Sequence, residues 1–237
     1  MYHYVYDAAL NDPRHHKLLA RIETRLTDLG IAGSITRLAA AKNTAATVRR
    51  DLQPGLSTIV VVGTDRTLGE IINIAVDPAI TFGFIPIGPS VIADLMGINQ
   101  DKAAEILSSR LVATFALGCI NTYRFITTLE IKKTVSITVN KQYRIETNNQ
   151  RVTITNMSHQ RAQTEIPTLE VHMQPTVHRW QRTTEFTQLH ADHLEITAPI
   201  GVTPIVLTDE GRSINTPAQI SCLPQALKLI VGRDRLC

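Results

Sequence analysis

Ile59-Val60-Val61-Val62-Gly63-Thr64-Asp65-Arg66-Thr67-Leu68-Gly69-Glu70 is the stretch that decides the fold. A β-branched run stops at a glycine, a small polar turn follows, and a helical pattern starts at once. Leu68, Ile71, Ile72 and Ala75 form the inner stripe of that helix, which stops near Pro78. A near-continuous aliphatic strand such as Thr58 to Val62 is typical of a parallel sheet buried on both faces. Gly63 permits a tight turn and close backbone approach. Either Thr64 or Asp65 can cap the helix, and Thr67-x-x-Glu70 has capping-box spacing one turn later. Such a turn offers backbone N–H groups and a helix N-terminus to an anion of the phosphate type.

The pattern extends outward in both directions. Tyr2 to Tyr6 reads as a strand, and Asp12-Pro13 as a helix start with a first-turn proline. Leu18, Leu19, Ile22, Leu26 and Leu29 recur at helical spacing up to Gly30. Ser34 to Leu38 fits a strand, Thr44 to Leu52 a short helix, and Ile80 to Ile87 another buried strand. Helical segments are expected at Val91–Met96 and Asp101–Ser109. Strand and helix in alternation mean a doubly wound α/β sheet with its ligand along the C-terminal strand edge.

After about residue 110 the helical stripes vanish. Strands are expected at Leu111–Phe115, Tyr123–Ile131, Thr134–Val139, Tyr143–Glu146, Arg151–Thr155, Thr168–Met173, Leu194–Thr197, Pro204–Leu207 and Ala226–Val231. Asn148-Asn149-Gln150 reads as a hairpin turn between two of them. Ser158 to Gln188, which holds the sole Trp180, is polar and reads as a long connection. The expected architecture is therefore α/β plus all-β. Residues 1–110 form a nucleotide-binding-type α/β domain, and residues 111–237 an antiparallel, sandwich-like β domain.

Composition narrows the function classes. The chain has 237 residues, 43% hydrophobic and 19% charged, with a net charge of +3. So small a charge, without any basic block, argues against nucleic acid as a partner. No apolar run approaches the ~20 residues of a membrane span. Met1 leads into His3 and Tyr4 without the pattern of a signal peptide, so a cytoplasmic protein is expected. Cys119, Cys222 and Cys237 lack metal or disulfide spacing and read as thiols in a reducing compartment. His190-x-Asp192-His193 reads as a solvated turn rather than a metal site, and no metal ligand set is assigned. Walker A, Gly-x-Gly-x-x-Gly and Gly-x-Ser-x-Gly are all absent.

Residues 63–70 resemble the Gly-Gly-Asp-Gly-Thr-Leu-Asn-Glu loop of the diacylglycerol kinase-like lipid kinases. Gly63, Asp65, Thr67, Leu68 and Glu70 keep that pattern. A second family signature, Pro-Leu-Gly-Thr-Gly-Asn-Asp-Phe-Ala with a later Leu-Gly-Ile, is similar to Pro86 through Ala93 and Met96-Gly97-Ile98. Pro86, Gly88, Ala93 and Gly97-Ile98 hold. Leu117 to Ile126 resembles the family's passage into its β domain. Thr208-Asp209-Glu210-Gly211 with Thr216-Pro217 resembles its Asp-Gly-Glu…Thr-Pro segment, and Pro224 to Val231 its closing strand. The resemblance runs in order along most of the chain.

What the resemblance implies is a kinase that uses ATP and Mg²⁺ and phosphorylates a lipid or related hydroxyl. Gly63, Thr64, Asp65, Arg66, Thr67 and Gly88 would line the nucleotide, with Glu70 orienting the loop. Asp209 or Glu210 would be the acidic group that deprotonates the acceptor. Peripheral membrane contact and a homodimer are compatible with it. The chain also departs from the pattern. Arg66 replaces a glycine, either as an obstruction or as a phosphate ligand. Pro89 replaces a threonine, removing a hydroxyl and an N–H. Tyr6-Asp7-Ala8 stands where the family has Asn-Pro, and Asp-Gly-Glu has become Asp-Glu-Gly. The alternative is a catalytically inactive module that keeps the fold and binds a nucleotide, a lipid head or a partner protein.

Overall fold

The computed structural model describes residues 1–40, 43–52, 55–75, 77–148, 150–157, 168–175, 187–198, 205–208 and 211–236. Along the chain these form β1 (Tyr2–Tyr6), α1 (His16–Asp28), β2 (Ser34–Arg37), α2 (Thr44–Asp51), β3 (Thr58–Gly63), α3 (Asp65–Ile74), β4 (Thr81–Pro86), α4 (Val91–Leu95) and α5 (Ala103–Ser109). Strands β5 (Val112–Ile120), β6 (Tyr123–Phe125), β7 (Thr128–Ile131), β8 (Ser136–Val139), β9 (Tyr143–Glu146) and β10 (Gln150–Thr155) follow. Then come β11 (Leu169–Pro175), β12 (Thr187–Ala191), β13 (His193–Thr197), β14 (Ile205–Thr208), β15 (Ser213–Asn215) and β16 (Ala218–Ile230). The chain divides into two compact units, Met1–Phe115 with Gln225–Cys237, and Ala116–Pro224.

The first unit is a parallel sheet in the order β2-β1-β3-β4, extended beyond β4 by Lys228 and Leu229 of β16. Every residue of β3 and β4 is buried, which explains their unbroken apolar sequences. The connections β1–α1–β2 and β2–α2–β3 run in opposite directions across the sheet. Right-handed crossovers therefore put α1 and α2 on opposite faces; α1 packs with α5 and α2 with α3. Residues 225–237 belong with this unit, whereas the sequence reading placed them in the 111–237 domain. A pairing across so long a stretch of chain leaves no local trace in composition.

The second unit is an antiparallel sandwich. One layer runs β12-β11-β10-β7-β14-β15, and in the other β13 lies between β8 and the start of β16, with β9 outside β8. Leu129, Ile131, Val152, Ile154 and Val171 face Ile137, Val139, Leu194, Ile196 and Ile220 in one buried core. The strands flanking Asn148-Asn149-Gln150 do not pair with each other as a hairpin would, and Asn149 itself lies outside the described residues. β9 pairs with β8 in one layer while β10 pairs with β7 and β11 in the other. The polar stretch Ser158–Gln188 contains all of β11, which matches the strand expected at Thr168–Met173, and also the start of β12, which was not expected; alternate apolar residues suffice for a strand with one solvated face. Trp180 lies outside the described residues.

One buried polar array in the first unit carries a pH prediction. His3 on β1 is 2% exposed. Thr36 Oγ1 donates to Asp51 Oδ2 at 2.8 Å, so it accepts from His3 Nε2 at 3.0 Å. Nδ1 is then left to accept from Ser34 Oγ at 2.7 Å, a tautomer assigned from this network. Burial holds the imidazole below its ordinary 6.5, against an opposing pull from Asp51. Between the lowered value and 6.5 the unfolded chain binds more protons than the folded one. This contribution to stability is therefore complete above 6.5 and lost as pH falls below it. Urea unfolding across that range is expected to show a slope that flattens in His3→Gln.

Candidate functional site

In the order β2-β1-β3 the chain leaves β1 toward one side and returns to the other. The crevice beyond the C-terminal ends of β1 and β3 is thus the switch point at which open α/β sheets bind ligands. A cavity of about 480 Å³ lies there. Asp7 and Ala8 wall it after β1, Leu38 to Ala40 after β2, and Thr44 from α2. The remaining wall is Thr64, Arg66, Thr67 and Glu70, from the turn and first turns of α3.

The turn is built as its sequence requires. Thr64 is the N-cap of α3, accepting from Thr67 N at 3.4 Å. Gly63 is needed for close approach rather than for an unusual dihedral: an added Cβ would lie 2.9 Å from Asp7 Cβ and 3.1 Å from Asp7 Oδ2. Asp7, whose N–H donates to Val62 O at 2.9 Å, is thereby brought against the turn. Thr67 Oγ1 donates to Asp7 Oδ2 in a short hydrogen bond, and Thr64 Oγ1 donates to the same oxygen at 3.4 Å. The other oxygen, Oδ1, accepts from Ala9 N at 2.8 Å.

Asp65 faces elsewhere. Its Oδ1 accepts from Ser90 Oγ, and its Oδ2 accepts from Val91 N at 2.9 Å and Ile92 N at 3.3 Å. The carboxylate thus caps α4 from the first residue of α3, a favourable charge at a helix N-terminus. Neither Asp65 nor Gly88 is among the residues lining the cavity; Gly88 has a φ of 137° beyond the end of β4. Arg66 is the second residue of α3, with helical backbone, so the glycine it replaces is not required there. Its exposed side chain stands at the cavity wall.

Four of the expected nucleotide residues, Thr64, Arg66, Thr67 and Glu70, therefore share one wall, with Gly63 beside them. Asp209 and Glu210 lie outside the described residues, between Thr208 of β14 and Gly211. Asp7 and Ser90 are the polar groups that sequence reasoning did not assign. The place of Asp7 just after a strand neighbouring β3 was the signal available for it. Among the described residues no group of three or more His, Cys, Asp or Glu could hold a metal. Asp192 N and His193 N each donate to Asn140 Oδ1 at 3.0 Å. No described helix is long and apolar enough to cross a membrane.

No family model matches the sequence, and no curated protein matches it. Solved structures do. A structure named as a diacylglycerol kinase of Bacillus anthracis strain Sterne superposes with a TM-score of 0.77 at 16% identity, covering 99% of this chain and 98% of that one. A second from the same strain gives 0.74 at 18% identity, covering 99% and 97%. A third gives 0.77 at 17%, covering 98% and 97%. The match spans both units, although few residues are shared. The chain has the fold of the diacylglycerol kinases.

Proposed function

We propose that this chain is an ATP-dependent kinase that phosphorylates the hydroxyl of a lipid or a related small molecule in the cytoplasm. The observation that carries the proposal is the cavity at the β1/β3 switch point, walled by Thr64, Arg66, Thr67 and Glu70. The donor set suits a polyphosphate. Arg66 supplies a guanidinium, Thr64 and Thr67 supply hydroxyls, and the first turn of α3 supplies N–H groups. Glu70 orients the turn, while Gly63 allows close approach. Asp65 acts by tying the turn to Ser90 and α4, and Gly88 shapes the adjoining loop.

Bound ATP and Mg²⁺ would supply the phosphoryl group and neutralise its charge. The acidic side chains at the cavity are Asp7 and Glu70, a sparse set that suits a cation held mainly by phosphates. Asp209 or Glu210 takes the proton from the acceptor hydroxyl. A lipid acceptor implies peripheral membrane contact, and a homodimer would use an open sheet edge such as β12. The second reading, a binding module without turnover, keeps the same cavity and differs only in phosphoryl transfer.

Calorimetric titration with ATP, with and without Mg²⁺, tests the site. Magnesium-dependent micromolar binding, about 8 kcal/mol, is expected. Arg66→Ala is expected to weaken it about tenfold through loss of one charge-assisted contact. An unchanged or tighter Kd would make the arginine an obstruction. Binding with no phosphoryl transfer to any lipid hydroxyl would favour the module without turnover.

A further inference from the structure

The most unusual group at the cavity is a carboxylate where an anion is expected to bind. Asp7 Oδ2 accepts from Thr67 Oγ1 and Thr64 Oγ1, the side-chain donors at the start of α3. The arrangement is enforced from three directions. Gly63 lets Asp7 approach, Val62 O fixes its N–H, and Ala9 N holds the second carboxylate oxygen at 2.8 Å. A phosphate entering this turn meets hydroxyls that are already committed and a negative charge beside them. The cation at the same wall is Arg66.

Resting on the nucleotide reading above, we propose that Asp7 is a built-in competitor for the donor phosphate: its carboxylate fills the anion position at the β3–α3 turn and sets the affinity and charge preference of the site. The protein then favours a nucleotide whose phosphates are neutralised by a divalent cation. A metal-free polyphosphate is rejected by like charge. Displacement of Asp7 releases Thr64 and Thr67 from the carboxylate together, because both bonds end on one oxygen; the two hydroxyls keep their mutual contact at 3.2 Å. The aspartate is a specificity-determining group and takes no part in the chemistry.

The test compares wild type with Asp7→Asn and Asp7→Ser, both of which keep an acceptor for Ala9 N. Titration with inorganic pyrophosphate, ATP and adenosine, each with and without Mg²⁺, reads the effect. Both variants are expected to bind metal-free pyrophosphate and ATP at least about tenfold more tightly. Adenosine affinity is expected to stay unchanged, which a merely structural role for Asp7 would not produce. Wild-type ATP binding that neither variant tightens would overturn the competitor role and leave the nucleotide site standing. Failure of all three proteins to bind pyrophosphate and ATP up to millimolar concentration would overturn both. Two variants guard against loss of folding in one, and equal thermal unfolding of variant and wild type validates the comparison.

Discussion

Gly232→Ala is expected to destabilise the first unit by about 3 kcal/mol, at the upper end of ordinary overpacking costs. The reason is backbone meeting backbone. A Cβ on Gly232 would lie 1.9 Å from Gly97 O, where no rotamer change can relieve it. Gly232 N donates to Met96 O at 2.9 Å, and Leu236 N donates to Leu95 O at 2.8 Å. The segment is thus pinned to the end of α4 at the clashing residue and again four residues later. Gly97 cannot yield, because it has a φ of 64° and its own Cβ position lies 2.7 Å from Arg235 N. In a protein of this size that cost corresponds to a fall in Tm of roughly 6–12 °C. Calorimetry of the variant checks it, and a loss under about 1 kcal/mol would mean that the segment moves freely from α4.

Asp65→Ala carries the second large effect, and it is expected in two measurements at once. The carboxylate accepts from Ser90 Oγ, Val91 N and Ile92 N. Its removal leaves the first N–H groups of α4 without their cap and parts the two loops that follow β3 and β4. Charge-assisted bonds of this kind set the expected loss at about 3 kcal/mol of stability. ATP binding is expected to fall below detection as well, because the turn that presents Thr64 and Thr67 loses its anchor. Asp65→Asn keeps one acceptor and is expected to lose about half as much stability. Lost binding with unchanged stability would place the carboxylate on the nucleotide instead.

How much of this was legible in the sequence depended on the range of the interaction. β3 and β4 were read directly, since strands buried on both faces have continuous apolar sequences. The Gly63–Glu70 turn was legible for the same reason: its cap, its glycine and its helix are neighbours in the chain. The direction of Asp65 was not, because Ser90 stands beyond an intervening helix and strand. Asp7 was noticed only as a departure, for nothing near it in sequence announces Thr64 and Thr67. Likewise Asn148-Asn149-Gln150 has turn chemistry, yet turn chemistry alone does not say whether the flanking strands pair. β12 escaped notice because Thr187–Ala191 carries only two apolar residues, the partly buried Leu189 and the buried Ala191, among polar ones.

The first unit is interrupted in the chain by all of residues 116–224 and resumes only at Gln225. On the ribosome, then, β4 is made long before Lys228 and Leu229, the residues that cover its outer edge. Domains normally fold as they emerge, earlier ones first. Here the inserted sandwich has all its strands in hand before its host does, and the nascent host waits with an open strand edge of the kind that invites mispairing. The unit begun first is completed last.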